Sequence, residues 1–153
     1  MNGYDLMKND KRISYLKNDK NRRAFYSRNR GILESKGEYI LVIDPDDILV
    51  NNILIKAYET TKKYDLDIVQ FYAIYGYFDS PTDILWQMKY KDGILKNNSE
   101  IKNNFYNTVS RNLWDKLVKR EVYIKSIQFM RKEFYNELYF LNNDDIICQI
   151  KYA

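Results

Sequence analysis

The hydrophobic pattern is sharpest over Tyr39–Ile43, a continuous apolar run rich in β-branched residues. A run of this kind is typical of a strand buried on both faces of a sheet. It ends abruptly at Asp44-Pro45-Asp46-Asp47, and apolar residues then recur at helical spacing over 49–61. The pattern therefore predicts a buried strand, a turn and a helix, with Asp46 or Asp47 available as the helix N-cap.

Weaker signals on either side complete an alternation of strands and helices. A short apolar run at Ile13–Leu16 predicts a strand, and residues 27–36 predict a helix with one apolar edge. Gly37 follows that helix where a left-handed C-terminal cap is expected. Ile68–Tyr75 predicts a further apolar strand after Asp65. This alternation indicates an α/β fold with a mostly parallel sheet flanked by helices.

The second half of the chain carries less regular signals. Aromatic residues over 77–95 are interrupted by Pro81 and an Asp92-Gly93 turn, which predicts a hairpin or an irregular insertion. Helices are predicted at three places: Ser99–Phe105, Trp114–Lys125 and the segment after Asn142-Asn143-Asp144-Asp145. The chain has 153 residues and no Pro/Gly/Ser-rich linker, so we expect a single domain over 1–153.

The composition predicts a globular protein and removes several kinds of chemistry. Apolar residues make up 45% of the chain and the net charge is only +4, unlike a disordered segment. The absence of histidine excludes Ser-His-Asp and Cys-His catalysis and histidine-ligated metals. The one cysteine, Cys148, precludes an internal disulfide and is typical of a buried position in a reducing compartment. Acid–base or metal chemistry must therefore rest on carboxylates.

The basic residues do not form a concentrated nucleic-acid-binding patch. Arg22, Arg23, Arg28 and Arg30 fit a solvated face or, alternatively, a surface that faces phosphate. Fifteen tyrosines and a positive net charge leave single-stranded RNA or DNA as a minor hypothesis, and no nucleic-acid partner is predicted. No run of about 18 apolar residues occurs, so no transmembrane segment is predicted. We expect a cytoplasmic protein, either free or at the cytoplasmic face of a membrane.

The Asp44-Pro45-Asp46-Asp47 segment is the strongest candidate for a functional site. Open α/β sheets bind ligands at the carboxyl ends of their strands, where this segment lies. Proline restricts the backbone, so the turn can direct the Asp44 and Asp46 side chains toward one crevice. Clustered carboxylates suit Mg²⁺ or Mn²⁺, and substrate phosphates often complete such sites. The same residues are also common in turns and N-caps without any metal, and the sequence leaves both interpretations open.

A second acidic pair, Asp144-Asp145, precedes the last predicted helix. It can serve as an N-cap pair, which the helix dipole favours. Alternatively, one of the two carboxylates can act as a general base, because a neighbouring carboxylate raises its pKa. The pattern does not decide between these two roles.

Several of these segments, taken in order, resemble family 2 glycosyltransferases with the GT-A fold. The matching segments are Ser27-Arg28-Asn29-Arg30-Gly31-Ile32, Lys36-Gly37-Glu38-Tyr39-Ile40, Ile43-Asp44-Pro45-Asp46-Asp47, Leu113-Trp114-Asp115-Lys116-Leu117 and Asp144-Asp145-Ile146-Ile147. Their order and spacing are more specific than any one segment. The resemblance implies a GT-A (Rossmann-like) core. It also implies inverting transfer of a sugar from a nucleotide-diphosphate sugar to a hydroxyl of a glycan or lipid-linked acceptor.

The resemblance also implies a role for each candidate residue. Asp46 would bind the divalent metal, Mn²⁺ or Mg²⁺, that bridges the donor diphosphate. Asp44 would contact the donor ribose or assist at the metal, and Arg28 would help to frame the donor. Asp145, or Asp144 in place of the usual Glu, would be the base that deprotonates the acceptor.

Two motifs of the family are not found in this sequence. Members open with an apolar strand ending in Pro-x-Tyr-Asn and a second strand ending in Asp-Asp-Gly-Ser, which hold the nucleotide base; neither motif occurs here. The resemblance therefore implies a partial, N-terminally truncated GT-A domain. An unpaired sheet edge in such a core can pair with another chain. The alternative function is therefore a catalytically inactive remnant that acts as an interaction module, including by self-association.

Overall fold

The computed structural model describes residues 10–50, 52–77, 80–88, 93–108, 110 and 112–138. The helices in these ranges are α1 (Arg23–Glu34), α2 (Ile53–Tyr64), α3 (Asn98–Thr108) and α4 (Arg120–Leu138). The strands are β1 (Tyr39–Leu41), β2 (Ile68–Gln70), β3 (Ala73–Tyr77), β4 (Ser80–Met88) and β5 (Lys116–Lys119). The predicted mixture of helices and strands is confirmed.

The central sheet has three strands in the order β1-β5-β2, and β5 is antiparallel to both of its neighbours. Leu117 of β5 lies opposite Leu41 on one side and opposite Val69 on the other. The prediction of a mostly parallel sheet is therefore wrong for the strands described here. β1 and β2 do run in the same direction, but a strand from much later in the chain separates them. Alternation along a sequence does not reveal such an insertion, because neighbours in sequence are not always neighbours in a sheet.

Helices cover both faces of the central sheet. On one face α1 and α4 pack together over β5 and bury a core of Ile32, Val118, Tyr123, Ile127 and Met130. Ile40 of β1 packs against this core. Because side chains alternate between faces along a strand, Tyr39 points to the other face, where its ring meets that of Tyr58 in α2 edge-on at 6.0 Å. The β1 residues are half-buried, so the prediction of a strand buried on both faces is only partly right.

The C-terminal end of α1 differs from the prediction at Gly37. No glycine in the described ranges has a positive φ, so Gly37 is not a left-handed cap. Ser35 closes the helix instead, because its hydroxyl donates to the carbonyl oxygen of Ile32 at 2.7 Å. Arg120, the first residue of α4, donates to the carbonyl oxygens of Ser35 at 2.9 Å and Leu33 at 3.2 Å. A hydroxyl and a distant cation therefore satisfy the end of this helix.

The helix that follows the acidic turn begins later than predicted. α2 starts at Ile53, and its N-cap residue is Asn52, which adopts the left-handed conformation with a φ of 65°. The prediction that Asp46 or Asp47 caps this helix is therefore wrong. At the other end, Asp65 is also left-handed, with a φ of 50°, and the strand predicted after it is present as β2.

Two predicted strands in the first half of the chain differ from the structure. Residues 13–16 lie in irregular backbone and are exposed. An apolar run of this length is too short for its pattern to separate a strand from a surface segment. The strand predicted over Ile68–Tyr75 is divided in two, since β2 ends at Gln70 and β3 begins at Ala73.

The predictions for the second half have mixed outcomes. The hairpin or irregular insertion predicted for 77–95 is only partly right: β4 lies in that range, but its antiparallel partner β3 begins at Ala73, within the strand predicted over Ile68–Tyr75. The helix predicted at Ser99–Phe105 is confirmed as part of α3. The helix predicted over Trp114–Lys125 is wrong in its first part, which contains β5. The helix predicted after residue 142 lies outside the described residues. Of the helices within the described ranges, none is long and apolar enough to cross a bilayer.

Candidate functional site

The acidic segment after β1 forms a turn that its own backbone closes. The amide of Asp47 donates to the carbonyl oxygen of Asp44 at 3.1 Å. Pro45 occupies the second position of this turn, where its restricted φ is already suitable. The turn predicted from the sequence is confirmed, and it presents three aspartates beyond the carboxyl end of β1.

Arg28 of α1 reaches this turn and binds Asp44. Its Nη2 donates to Asp44 Oδ1 at 2.7 Å, and the two side chains are 31% and 32% exposed. A charge-assisted hydrogen bond of this length orients a carboxylate more firmly than a neutral one. The structure thus brings together two predicted site residues whose contact the sequence pattern does not predict.

Asp46 and Asp47 complete a concentration of negative charge at the turn. Both residues are exposed. Partial burial raises the pKa of Asp47 above its ordinary value, and the nearby charges of Asp44 and Asp46 add to the shift, while a backbone hydrogen bond opposes it. Desolvation is the larger cause of the raised pKa, and the smaller contribution from Asp44 and Asp46 reflects carboxylates that repel one another, an arrangement that a cation stabilises.

The turn has the donor chemistry that a divalent cation requires. Carboxylate oxygens are hard ligands, and they suit Mg²⁺ and Mn²⁺. Across the described ranges, however, no group of three or more His, Cys, Asp or Glu side chains is arranged to hold a metal ion. A cation at Asp46 would therefore need further oxygen ligands, which a diphosphate possesses. The described side chains alone therefore do not complete a metal site.

Two other arginines near Arg28, Arg22 and Arg30, make different contacts. Arg22 forms an ion pair with Asp19 at 2.8 Å. Arg30 donates to the carbonyl oxygen of Lys17 at 2.8 Å and to Asn18 Oδ1 at 2.9 Å. Arg30 thus holds the segment before α1 against the helix, Arg22 pairs within that segment, and Arg28 binds the acidic turn.

The direction of β5 brings a second segment to the end of the sheet where the Asp44–Asp47 turn lies. Because β5 runs opposite to β1 and β2, the residues that precede β5 lie beside the carboxyl ends of β1 and β2. That preceding segment contains Asp115, which is 0% exposed, beside Lys116, which is 8% exposed. Their side chains form an ion pair at 2.6 Å. The sequence analysis placed Asp115 and Lys116 in a segment that resembles the family, but it predicted neither their ion pair nor a role for them, although adjacent opposite charges among apolar residues were an available signal.

The predicted general base lies outside the described residues, since Asp144 and Asp145 both follow residue 138, where the description ends. Cys148 does so too. The roles assigned to these three residues stay predictions.

The segments that form the turn, α1 and β5 belong to one family match. The family model described as Glycosyl transferase family 2 matches residues 4–138. Since the match covers most of the chain, the protein belongs to glycosyl transferase family 2. This membership implies the GT-A fold, of which the described residues show a small antiparallel sheet between helices.

Curated proteins similar to this chain are also glycosyltransferases. Glycosyltransferase GlyG of Streptococcus pneumoniae serotype 4 is 26% identical over 138 residues, covering 90% of this chain and 44% of the relative. Cholesterol galactosyltransferase of Borreliella burgdorferi is 29% identical over 128 residues, covering 75% of this chain and 35% of the relative. An uncharacterised glycosyltransferase of Methanocaldococcus jannaschii is 31% identical over 103 residues, covering 67% of this chain and 34% of the relative. The chain thus spans less than half the length of these relatives. No solved structure matches it at a significant level.

Proposed function

We propose that this protein takes part in transferring a sugar from a nucleotide-diphosphate sugar to an acceptor hydroxyl, with inversion at the sugar carbon. The observation that carries the proposal is the Arg28–Asp44 ion pair beyond the carboxyl end of β1, in a chain of glycosyl transferase family 2. Ligands of open α/β sheets bind at this end of the strands. The acidic turn and Arg28 together offer oxygen ligands for a cation and a positive charge for an anion.

The proposed donor site consists of Asp46, Asp44 and Arg28. Asp46 would hold Mg²⁺ or Mn²⁺ together with the donor diphosphate, and Asp44 would contact the donor ribose or support the metal. When bound, such a metal neutralises negative charge on the leaving diphosphate. Arg28 orients Asp44 through the 2.7 Å hydrogen bond and adds a fixed positive charge beside the diphosphate.

The proposed base is Asp145 or its neighbour Asp144. Inversion requires the acceptor oxygen to attack from the side opposite the leaving group, so the base must accept the hydroxyl proton on that side. A positioned carboxylate base typically accelerates such a step by about 10²–10⁴-fold. Adjacent carboxylates raise one another's pKa, which makes one of the pair a more effective base near neutral pH.

The proposed acceptor is a glycan or a lipid-linked hydroxyl. The name of one relative, cholesterol galactosyltransferase, describes transfer to a membrane lipid, which supports including lipid hydroxyls in this class. The proposed location is the cytoplasm or the cytoplasmic face of a membrane, where nucleotide sugars are available.

Calorimetric titration with UDP-galactose and UDP-glucose, with and without Mn²⁺, tests the donor site. We expect binding of at least one donor by the unaltered chain that requires Mn²⁺. Asp46→Asn should weaken that binding by at least about tenfold, which is ~1.4 kcal/mol. Asp19→Asn is the matched control, because Asp19 pairs with Arg22 before α1 and should leave binding unchanged. Equal affinity in the Asp46→Asn variant and the unaltered chain would exclude the metal role.

A second candidate function is an interaction module that associates through the open edge of the sheet. Among the described strands β1 pairs with β5 alone, and Ile43, just beyond β1, is 41% exposed. An exposed apolar edge of this kind is a template for pairing with another chain. Light scattering over a range of concentrations tests this candidate: a concentration-dependent dimer that Ile43→Lys abolishes would support it, and a monomer throughout would exclude self-association.

A further inference from the structure

The most deeply buried charges in the described part of the chain belong to Asp115 and Lys116, at 0% and 8% exposed. Burial lowers the pKa of the Lys116 ammonium, and the charge of Asp115 and its hydrogen bond oppose that shift. A buried ion pair is weak evidence for stability, because a well-packed apolar pair often stabilises a fold as well or better. The pair therefore calls for an explanation beyond packing.

The ammonium of Lys116 is fully used in local hydrogen bonds. An ammonium has three N–H donors. Here they reach Ser110 Oγ at 2.8 Å, the carbonyl oxygen of Asn112 at 2.6 Å and Asp115 Oδ1 at 2.6 Å. One side chain thus holds three positions among residue 110 and residues 112–115, which we call the pre-β5 loop. A single apolar side chain cannot define a loop in this way.

The pre-β5 loop is also attached to the end of β2. The amide of Ser110 donates to Gln70 Oε1 at 2.8 Å, and the amide of Phe71 donates to the carbonyl oxygen of Asp115 at 3.0 Å. Gln70 and Lys116 lie opposite each other in the sheet. The loop is therefore held from two sides: by the Lys116 ammonium from β5, and by β2 and the residue that follows it.

The antiparallel direction of β5 determines where this loop lies. The loop lies at the end of the sheet where the chain leaves β1 toward the Asp44–Asp47 turn. Leu113 of the loop and Val42, which precedes the turn, both pack against the same hydrophobic core. The loop and the turn thus lie at the same end of the sheet and are supported by the same hydrophobic core.

We propose that Lys116 is a positioning residue for the donor site: its ammonium fixes the pre-β5 loop as a wall beside the Asp44–Asp47 turn. This inference rests on the proposed function, since it assigns the loop to the site that takes a nucleotide-diphosphate sugar. Lys116 itself does not touch the donor, because Ser110, Asn112 and Asp115 already take its three donors.

The test separates positioning from stability by removing both charges together. Lys116→Met alone removes the ammonium that lies 2.6 Å from the buried Asp115 carboxylate and is expected to destabilise the fold strongly. The double variant Asp115→Asn/Lys116→Met removes both charges, and its melting temperature should return toward that of the unaltered chain. We expect this double variant to bind UDP-galactose or UDP-glucose in Mn²⁺ at least about tenfold more weakly.

The matched control removes an ion pair from the other end of the same strand. Lys119 pairs with Asp67 at 3.3 Å at the opposite end of the strands. The double variant Asp67→Asn/Lys119→Met should therefore leave donor binding unchanged. Ser110→Ala provides a milder variant, since it removes one acceptor of the ammonium and keeps the buried pair. It should weaken donor binding several-fold even if the double variant of the buried pair does not fold.

The outcomes distinguish this inference from the proposed function. If the unaltered chain binds no nucleotide sugar, the proposed function fails and this inference fails with it. If the unaltered chain binds donor and both the folded double variant and Ser110→Ala bind it equally well, only the positioning role is overturned. Weaker binding by these variants, with unchanged binding by the Lys119 control, supports the positioning role.

Discussion

The guanidinium of Arg28 donates a hydrogen bond to Asp44 Oδ1 at 2.7 Å, joining the middle of α1 to the turn after β1. The contact gives Asp44 a counter-charge and a fixed orientation from within the chain. It also explains how α1 and the turn can act as one site although a strand separates them in sequence. Changes on α1 are therefore expected to reach the proposed donor site through Arg28.

A double-mutant cycle on Arg28 and Asp44 measures this contact. We expect Arg28→Ala, Asp44→Ala and the double variant to give a stabilising coupling of roughly 0.5–1 kcal/mol in urea unfolding, since the pair is about two-thirds buried. The corresponding cycle on the more exposed Arg22–Asp19 pair should give a smaller coupling. A coupling no larger than that of the Arg22 pair would show that the Arg28 contact does not order the turn.

The buried pair predicts an unusual dependence on pH in the Asp115→Asn variant. At neutral pH this variant keeps a buried Lys116 ammonium without its counter-charge, and we expect a loss of ~3–5 kcal/mol in the free energy of unfolding. Removing the carboxylate lowers the folded-state pKa of Lys116 further below its ordinary value of 10.5. The unfolded chain then binds more protons than the folded one at alkaline pH, so the stability of the variant rises with pH in that range.

Melting temperatures of both proteins between about pH 7 and about pH 10 check this prediction. The gap between the unaltered chain and Asp115→Asn should narrow as the pH rises. Glu121→Gln, which removes the partner of the exposed Lys125, is the control and should show no such narrowing. A gap that stays constant with pH would mean that Lys116 does not carry the penalty.

Arg120 is predicted to stabilise the end of α1. Its guanidinium donates to the carbonyl oxygens of Ser35 and Leu33, so Arg120→Met leaves those carbonyls without a charged donor. We expect a loss of ~1.5–3 kcal/mol in urea unfolding. Arg12→Met is the control, because the side chain of Arg12 is 90% exposed and should change stability little. Equal effects of the two substitutions would show that the α1 end does not depend on Arg120.

The core between α1 and α4 gives a prediction that is independent of function. Ile127 is 3% exposed, whereas Ile48 is 69% exposed. Ile127→Ala should lower the free energy of unfolding by ~2–5 kcal/mol, because it removes buried methyl groups and leaves a cavity. Ile48→Ala makes the same chemical change at the surface and should cost far less. Similar losses at both positions would contradict the assignment of this core.

The fold could be predicted where local pattern and local structure agree. The β1 run and the turn at Asp44–Asp47 carry their signals within a few residues. β5 carries none, since Lys116–Lys119 places two apolar residues between lysines and fits a helix as well as a strand. What makes it a strand is pairing with Leu41 and Val69, which lie far away in the chain. Such pairing cannot be derived from periodicity.

The candidate site shows the same division. The aspartates of the turn could be predicted because proline and clustered carboxylates are visible in the sequence, and resemblance added Arg28. The hydrogen bond between Arg28 and Asp44 could not, because it depends on how α1 packs against the sheet. The Lys116 network requires Ser110, Asn112 and Gln70 to converge, and these residues have no shared motif.

The placement of β5 between β1 and β2 has a consequence for synthesis on the ribosome. β1 and β2 are made early, yet in the described structure each pairs with β5 and they do not pair with each other. The sheet therefore cannot assemble until residue 119 has left the exit tunnel. Until then the nascent chain exposes two apolar strands, which is when chaperones and neighbouring chains have access to them.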